Sequence, residues 1–172
     1  MTQKRIKRNY VNNKDLLAAL IDYKQKCKEA EDQGDEIPKV PNYIGECIYQ
    51  ISTRLATKPN FSGYSYKEDM IMDGIENCLL YINNFDHTKS SNPFAYFTQV
   101  IWYAFLRRIQ KEKKQMYIRF KSSHNMMMNG ATYESDEVQL HLNTSADYIN
   151  SFIEDFENKL NKSKEKPTDE SK

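Results

Sequence analysis

Asn92-Pro93 opens the segment that most restricts what this chain can become. Asparagine is a good N-cap, and proline fits the first helical turn because that position has no use for its missing N–H. From there Phe94, Phe97, Ile101 and Phe105 recur at helical spacing on one face. Tyr96, Gln99, Val100, Tyr103 and Arg107 recur on another. A helix with apolar or aromatic groups on two faces is either buried on both sides or uses one side for binding. The second face mixes rings, an amide and a guanidinium, the chemistry that holds unstacked bases and their phosphates, so binding is the favoured expectation.

The preceding segment predicts a companion helix. Ser65-x-x-Glu68 has the spacing of a capping box. Met70, Ile71, Cys78, Leu79 and Ile82 then line an apolar side. Gly74 in its interior costs roughly 1 kcal/mol relative to alanine, which points to close packing against another backbone. Asp69, Asp73 and Glu76 share a face, but no histidine joins them within the helix. A solvated or partner-facing acidic strip is expected, with no metal site and no cofactor.

The rest of the chain reads as further helices. Asn12 and Asn13 are N-caps for a helix with Leu16, Leu17, Leu20 and Ile21 on one face, ending near Gly34. A second starts near Pro41 and carries Ile44, Cys47, Ile48, Ile51 and Leu55 as a core stripe. KPNFSGY, residues 58–64, is a turn. Residues 122–133, with three consecutive methionines and Asn129-Gly130, predict a loop. An amphipathic helix is expected from about Ser145 to Leu160, and residues 161–172 have nothing to bury. The expected organisation is a basic arm over 1–11, an all-α domain over 12–121, a loop plus helix over 122–160, and a disordered tail over 161–172.

Charge narrows the function classes. The formal net charge of +1 conceals seven basic residues against one acid between Arg107 and Lys121. Beyond Ala131, ten acidic residues face five lysines. That asymmetry predicts a local polyanion contact. Cys27, Cys47 and Cys78 have no metal-ligand spacing and read as free thiols of a reducing compartment. No stretch approaches the length of a membrane span, and the basic N-terminus lacks the apolar run of a signal peptide.

The segment resembles region two of bacterial sigma factors, the promoter-recognition subunits of RNA polymerase. Asp69-Met-Ile-Met-Asp-Gly74 is similar to that family's D-L-I-Q-E-G, Phe85-Asp86 to its F-D, and Phe94-Ala-Tyr96-Phe-Thr98 to its F-S-T-Y-A-T, followed by Ile101, Ala104 and Arg107. The match runs ungapped from Asp69 through Ile109. Over roughly residues 9–160 the chain further resembles the late-transcription sigma factors of T-even-like phages. Residues 9–14 (NYVNNK) and 60–64 (NFSGY), together with Asp73-Gly74-Ile75-Glu76, Asn84-Phe85-Asp86 and Asn92-Pro93, carry that likeness.

The resemblance implies a sigma region-two-like all-α fold with a flexible acidic C-terminal extension, in a non-enzymatic initiation factor working in the cytoplasm of an infected bacterium. Asp69, Met72, Asp73, Ile75, Glu76 and Leu79 would dock on the coiled coil of the polymerase beta-prime clamp. Tyr96, Gln99, Val100, Tyr103 and Leu106 would face the melted minus-ten promoter element, with Tyr96 stacking on a flipped adenine. Arg107, Arg108, Lys111, Lys113 and Lys114 would hold adjacent phosphates. In that branch a coactivator and the replication sliding clamp are further partners. Gln99-Val100 stand where housekeeping sigma factors carry a tryptophan pair, so the wedge at the upstream edge of the bubble is either absent or built otherwise, with Trp102 and Tyr103 as the candidates. Nothing after Phe120 resembles a helix-turn-helix, and KEKPTDESK lacks a clamp-binding motif; Ser151–Glu157 has a similar composition. The rival expectation is a helical polymerase-binding adaptor, anti-sigma or coactivator-like, that does not read the promoter. A nuclease built on Asp69, Asp73 and Glu76 is the least favoured.

Overall fold

The computed structural model describes residues 10–128 and 136–164, with side chains over 10–125 and 146–162. The described residues are all-helical. They comprise α1 (Asn13–Gln33), α2 (Asn42–Ala56), α3 (Lys67–Leu80), a single 3-10 turn (Ile82–Asn84), α4 (Pro93–Met128) and α5 (Asp136–Lys164). The chain divides into two units inside α4, between Ile109 and Gln110. The basic arm expected over residues 1–11 lies outside the described residues except for Tyr10 and Val11, as do residues 165–172 of the expected tail.

In the first unit, helix ends follow local chemistry. The Asn12 side chain accepts from the Lys14 amide at 3.1 Å, satisfying one of the free donors of the first turn. Gly34 closes α1 at φ 73°, a left-handed value that glycine adopts without strain. Asn92 Oδ1 accepts from the Ala95 amide at 3.1 Å, so the Asn-Pro start of α4 forms as its chemistry predicts. The Ser65 capping box does not form. The residue preceding α3 is Tyr66, and it makes no side-chain cap; Tyr66 stacks on Tyr64 instead, with centroids 5.1 Å apart.

The core joins all four helices. Leu16, Leu20, Ile44, Ile48, Ile51, Met70, Phe97, Ile101 and Phe105 are buried almost completely. Each such side chain contributes about 1.5–3 kcal/mol of burial. Phe61, from the turn after α2, enters edge-on against Phe105 at 5.1 Å and Trp102 at 4.8 Å. Gly74 is buried at the tightest crossing. A Cβ there would stand 2.9 Å from Ser52 Oγ, 3.0 Å from Ile101 Cγ2 and 3.1 Å from Phe105 Cε1. Close packing is present at Gly74, but against side chains of α2 and α4 and not against the backbone that the sequence led us to expect. Ser52, also buried, donates its hydroxyl to the Ile71 carbonyl at 3.1 Å. Asn13 ties the start of α1 to that of α4, accepting from the Phe94 amide at 3.0 Å and donating to the Ser91 carbonyl at 3.2 Å. Lys24 reaches the Phe85 carbonyl.

In the second unit the sequence expectations need correction. The loop expected at 122–133 is helical through Met128, and the final helix begins at Asp136 and runs through Lys164. Residues 161–164, expected to be disordered, are therefore its last turn. Aromatic pairs link α4 and α5 within this unit. Tyr117 stacks on Phe156 at 4.5 Å, while Phe120 meets Phe152 edge-on at 5.3 Å and Tyr148 at 6.1 Å. These pairs join the two helices just before residue 122, and α4 continues from there because extending an existing helix adds one backbone bond for each residue fixed.

Candidate functional site

On α3 the period of the helix separates what is buried from what is offered. Met70, Ile71, Gly74 and Cys78 face the core. Asp69, Met72, Glu76 and Leu79 are exposed, with Met72 at 59 %; Ile75 is half-buried. Leu80 and Tyr81 extend this apolar ridge, and Leu80 at 69 % is its most exposed member. Asp73 departs from the acidic strip. Its carboxylate turns to Arg108 of α4, with Nε to Oδ2 at 2.7 Å and Nη2 to Oδ1 at 2.8 Å. The expected polymerase-facing Asp73 and phosphate-facing Arg108 are thus partners of each other. Among the described residues there is no group of three or more His, Cys, Asp or Glu side chains placed to hold a metal ion.

The second face of α4 is only partly free. Gln99, Tyr103, Leu106 and Arg107 are exposed; Tyr96 and Val100 are half-buried. Tyr96 packs on Phe85 at 5.4 Å and donates its hydroxyl to the Tyr81 carbonyl at 2.8 Å. Burial, helped by the neighbouring Cys78 and Tyr81, pushes its phenol pKa up. One Tyr96 face therefore serves the fold. Arg107 donates to Asn77 Oδ1 at 2.6 Å, while Asn77 Nδ2 donates to the Asp73 carbonyl at 2.7 Å. Trp102 is half-buried against Phe61, which leaves Tyr103, at 52 % exposure, as the more available ring. Asn92, Phe94, Gln99, Trp102 and Tyr103, with Ala95 and Thr98, line a shallow groove of about 520 Å³. It combines ring surface with two side-chain amides.

The Phe85-Asp86 pair closes the loop after α3. Phe85 is buried, and Asp86 Oδ1 accepts from the Thr88 hydroxyl at 2.7 Å and the Thr88 amide at 2.9 Å. Those two donors, with Lys89 adding to them, hold the Asp86 carboxyl down at about 2. This aspartate is a turn-former that orients the loop leading to α4.

Within the second unit Lys111, Lys113 and Lys114 are exposed. Glu157 accepts from Lys121 Nζ at 2.7 Å and from the Tyr117 hydroxyl at 2.8 Å. Those donors lower the Glu157 pKa, and the same bonds raise those of Lys121 and Tyr117. The Ser151–Glu157 segment is engaged in this way on α5 through Phe152, Phe156 and Glu157.

Several contributors escape the sequence pattern. Leu80 and Tyr81 follow Leu79 directly, and the run of three apolar residues at a helix end was the available signal, since a single helical face cannot bury all three. Asn77 carries no such signal, because its task depends on which residue of α4 stands opposite. Arg54, over the Tyr10 ring at 4.4 Å, lines a cavity of about 510 Å³ with Lys58, Phe94 and Thr98; only its proximity in space reveals it. No protein-family model and no curated protein matches the chain.

Proposed function

We propose that the chain is a sigma-type transcription initiation factor, binding an RNA polymerase core through α3 and an unpaired minus-ten promoter strand through α4. The observation that carries the reading is the groove beside Tyr103. Its ring surfaces accept the π-face of an extruded base, and the Gln99 amide offers the paired donor and acceptor that suit an adenine edge. Stacking returns roughly 1–3 kcal/mol per base, comparable to the few kcal/mol needed to unstack one. Such a surface traps an opened strand by binding alone. Tyr103 takes the stacking role in this reading, because the Tyr96 hydroxyl and one ring face are committed to the fold. Arg107, exposed on the same unit, is the first candidate for a phosphate contact. On α3, the exposed Met72, Leu79 and Leu80 flanked by Asp69 and Glu76 suit a basic, partly apolar helix of the polymerase.

One observation favours a second reading, a polymerase-binding adaptor that does not read DNA. Tyr96, Arg107 and Arg108 all hydrogen-bond to α3 or to the residue that ends it. Transcription by core polymerase plus this protein separates the two, on a template with an AT-rich minus-ten-like element and no upstream element. The sigma-type reading expects specific initiation, lost in Tyr103→Ala with polymerase binding retained. Polymerase binding without specific initiation by the unaltered protein supports the adaptor. No polymerase binding removes both.

A further inference from the structure

We propose that the second unit carries a docking groove for an acidic amphipathic helix of a partner protein. The groove lies between the part of α4 that begins at Gln110 and the C-terminal half of α5, with a volume of about 470 Å³. Phe152, Phe156 and Leu160 form its floor, and Lys113, Lys114 and Lys159 border it against the single carboxylate of Asp155.

Three features select the occupant. From Phe152 to Leu160 the floor spans about 12 Å of helix at 1.5 Å per residue, so an apolar stripe of two to three helical turns matches it. Lysine stems cover apolar surface while their ammonium groups stay in water, so the border offers a cationic rim rather than a buried charge. Three lysines against one aspartate make the rim complementary to carboxylates flanking that stripe. Ring geometry argues against a nucleic-acid base as the occupant. Tyr117 covers one face of Phe156 at 4.5 Å and an interplanar angle of 18°, and Phe120 presses edge-on against Phe152. Those contacts take up ring surface on which a base would stack, and Leu160, aliphatic and 43 % exposed, suits leucine or phenylalanine side chains. The inference does not rest on the sigma-type reading.

The test uses the full chain and a fluorescein-labelled helical peptide of about 14 residues, with leucine and phenylalanine along one face and glutamate along its flanks. Fluorescence anisotropy is expected to give a dissociation constant on the order of micromolar that weakens with salt. Lys113→Glu combined with Lys114→Glu, and separately Leu160→Glu, are each expected to weaken it about tenfold. A peptide carrying lysine for glutamate is expected to prefer the charge-reversed variant. Circular dichroism confirms that both variants fold. Three results overturn the proposal: no binding of the acidic peptide, equal binding by all variants, or displacement of the peptide by a single-stranded oligonucleotide whose own binding Leu160→Glu abolishes.

Discussion

Replacing Asp73 by alanine tests whether the cross-helix ion pair is framework or binding surface. Arg108 and Asp73 are 17 % and 29 % exposed and meet through two short bonds. Exposed pairs are worth about 0–1 kcal/mol. Removing one member of a fully buried pair costs about 3–5 kcal/mol, chiefly from the charge left behind. This pair lies between those limits, so Asp73→Ala is expected to destabilise the first unit by about 2 kcal/mol. For a unit of about 100 residues that lowers Tm by about 10 °C. Arg108→Met keeps the aliphatic stem and removes the charge, and the double-mutant cycle is expected to return a coupling of about 1–2 kcal/mol in urea denaturation. A charge-swapped protein, Asp73→Arg with Arg108→Asp, should recover part of the lost stability. Coupling below about 0.3 kcal/mol would refute the reasoning and return both residues to the list of available contacts. By contrast, Asp69→Lys and Glu76→Lys, both exposed, should leave Tm within a few degrees and, in the sigma-type reading, weaken polymerase binding.

Tyr103→Ala should change stability by no more than about 0.5 kcal/mol yet reduce affinity for a single-stranded or forked promoter fragment about tenfold or more, measured by anisotropy. Tyr96→Phe should cost about 0.5–1.5 kcal/mol through the lost bond to the Tyr81 carbonyl, read by thermal melting. Gly74→Val should destabilise by about 2–3 kcal/mol, because the added carbons meet Ser52, Ile101 and Phe105 at once; an unchanged melt would mean that the crossing is looser than described. Asp86 should titrate at about 2 by NMR, and Thr88→Val should move it up toward the ordinary 3.8. Because the folded value is depressed, the turn's electrostatic contribution is present above 3.8 and fades as pH falls toward 2.

Helix identity and core membership were legible because both follow from periodicity along one segment. Ile44, Ile48, Ile51, Phe97, Ile101 and Phe105 are buried as their spacing predicts. Local caps at Asn12, Gly34 and Asn92 were legible for the same reason, as each acts within a few residues. The Ser65 box has the right spacing but the wrong outcome: the Tyr64–Tyr66 stack holds the chain at the position a cap would occupy. Residues 122–128 looked like a loop since their own pattern is weak, and they are helical as the continuation of a helix already formed before them. Periodicity assigns a residue to a face but does not say whether a neighbouring helix will cover that face. For this reason Tyr96 and Tyr103 share one face by spacing and are not equivalent in the fold.

The pairing of Asp73 with Arg108 and of Asn77 with Arg107 bears on how the α4 groove can work. A surface that receives a base must hold its rings and amides in place beforehand, since ordering them on binding would consume much of the roughly 1–3 kcal/mol that stacking supplies. Both arginines reach across to α3, and Tyr96 bonds to the residue that ends it, so three links fix the rotation and register of α4 over its first four turns. Gln99 and Tyr103 lie between the first of these links and the other two. The contacts that withdraw Tyr96 and Arg108 from a direct role are the same ones that preorganise the residues left exposed. In the sigma-type reading, loosening them should therefore weaken strand capture even where the altered side chain cannot reach the DNA. Arg108→Met offers the discriminating case: it should lower single-strand affinity in low and high salt alike, whereas a lost phosphate contact would show mainly at low salt.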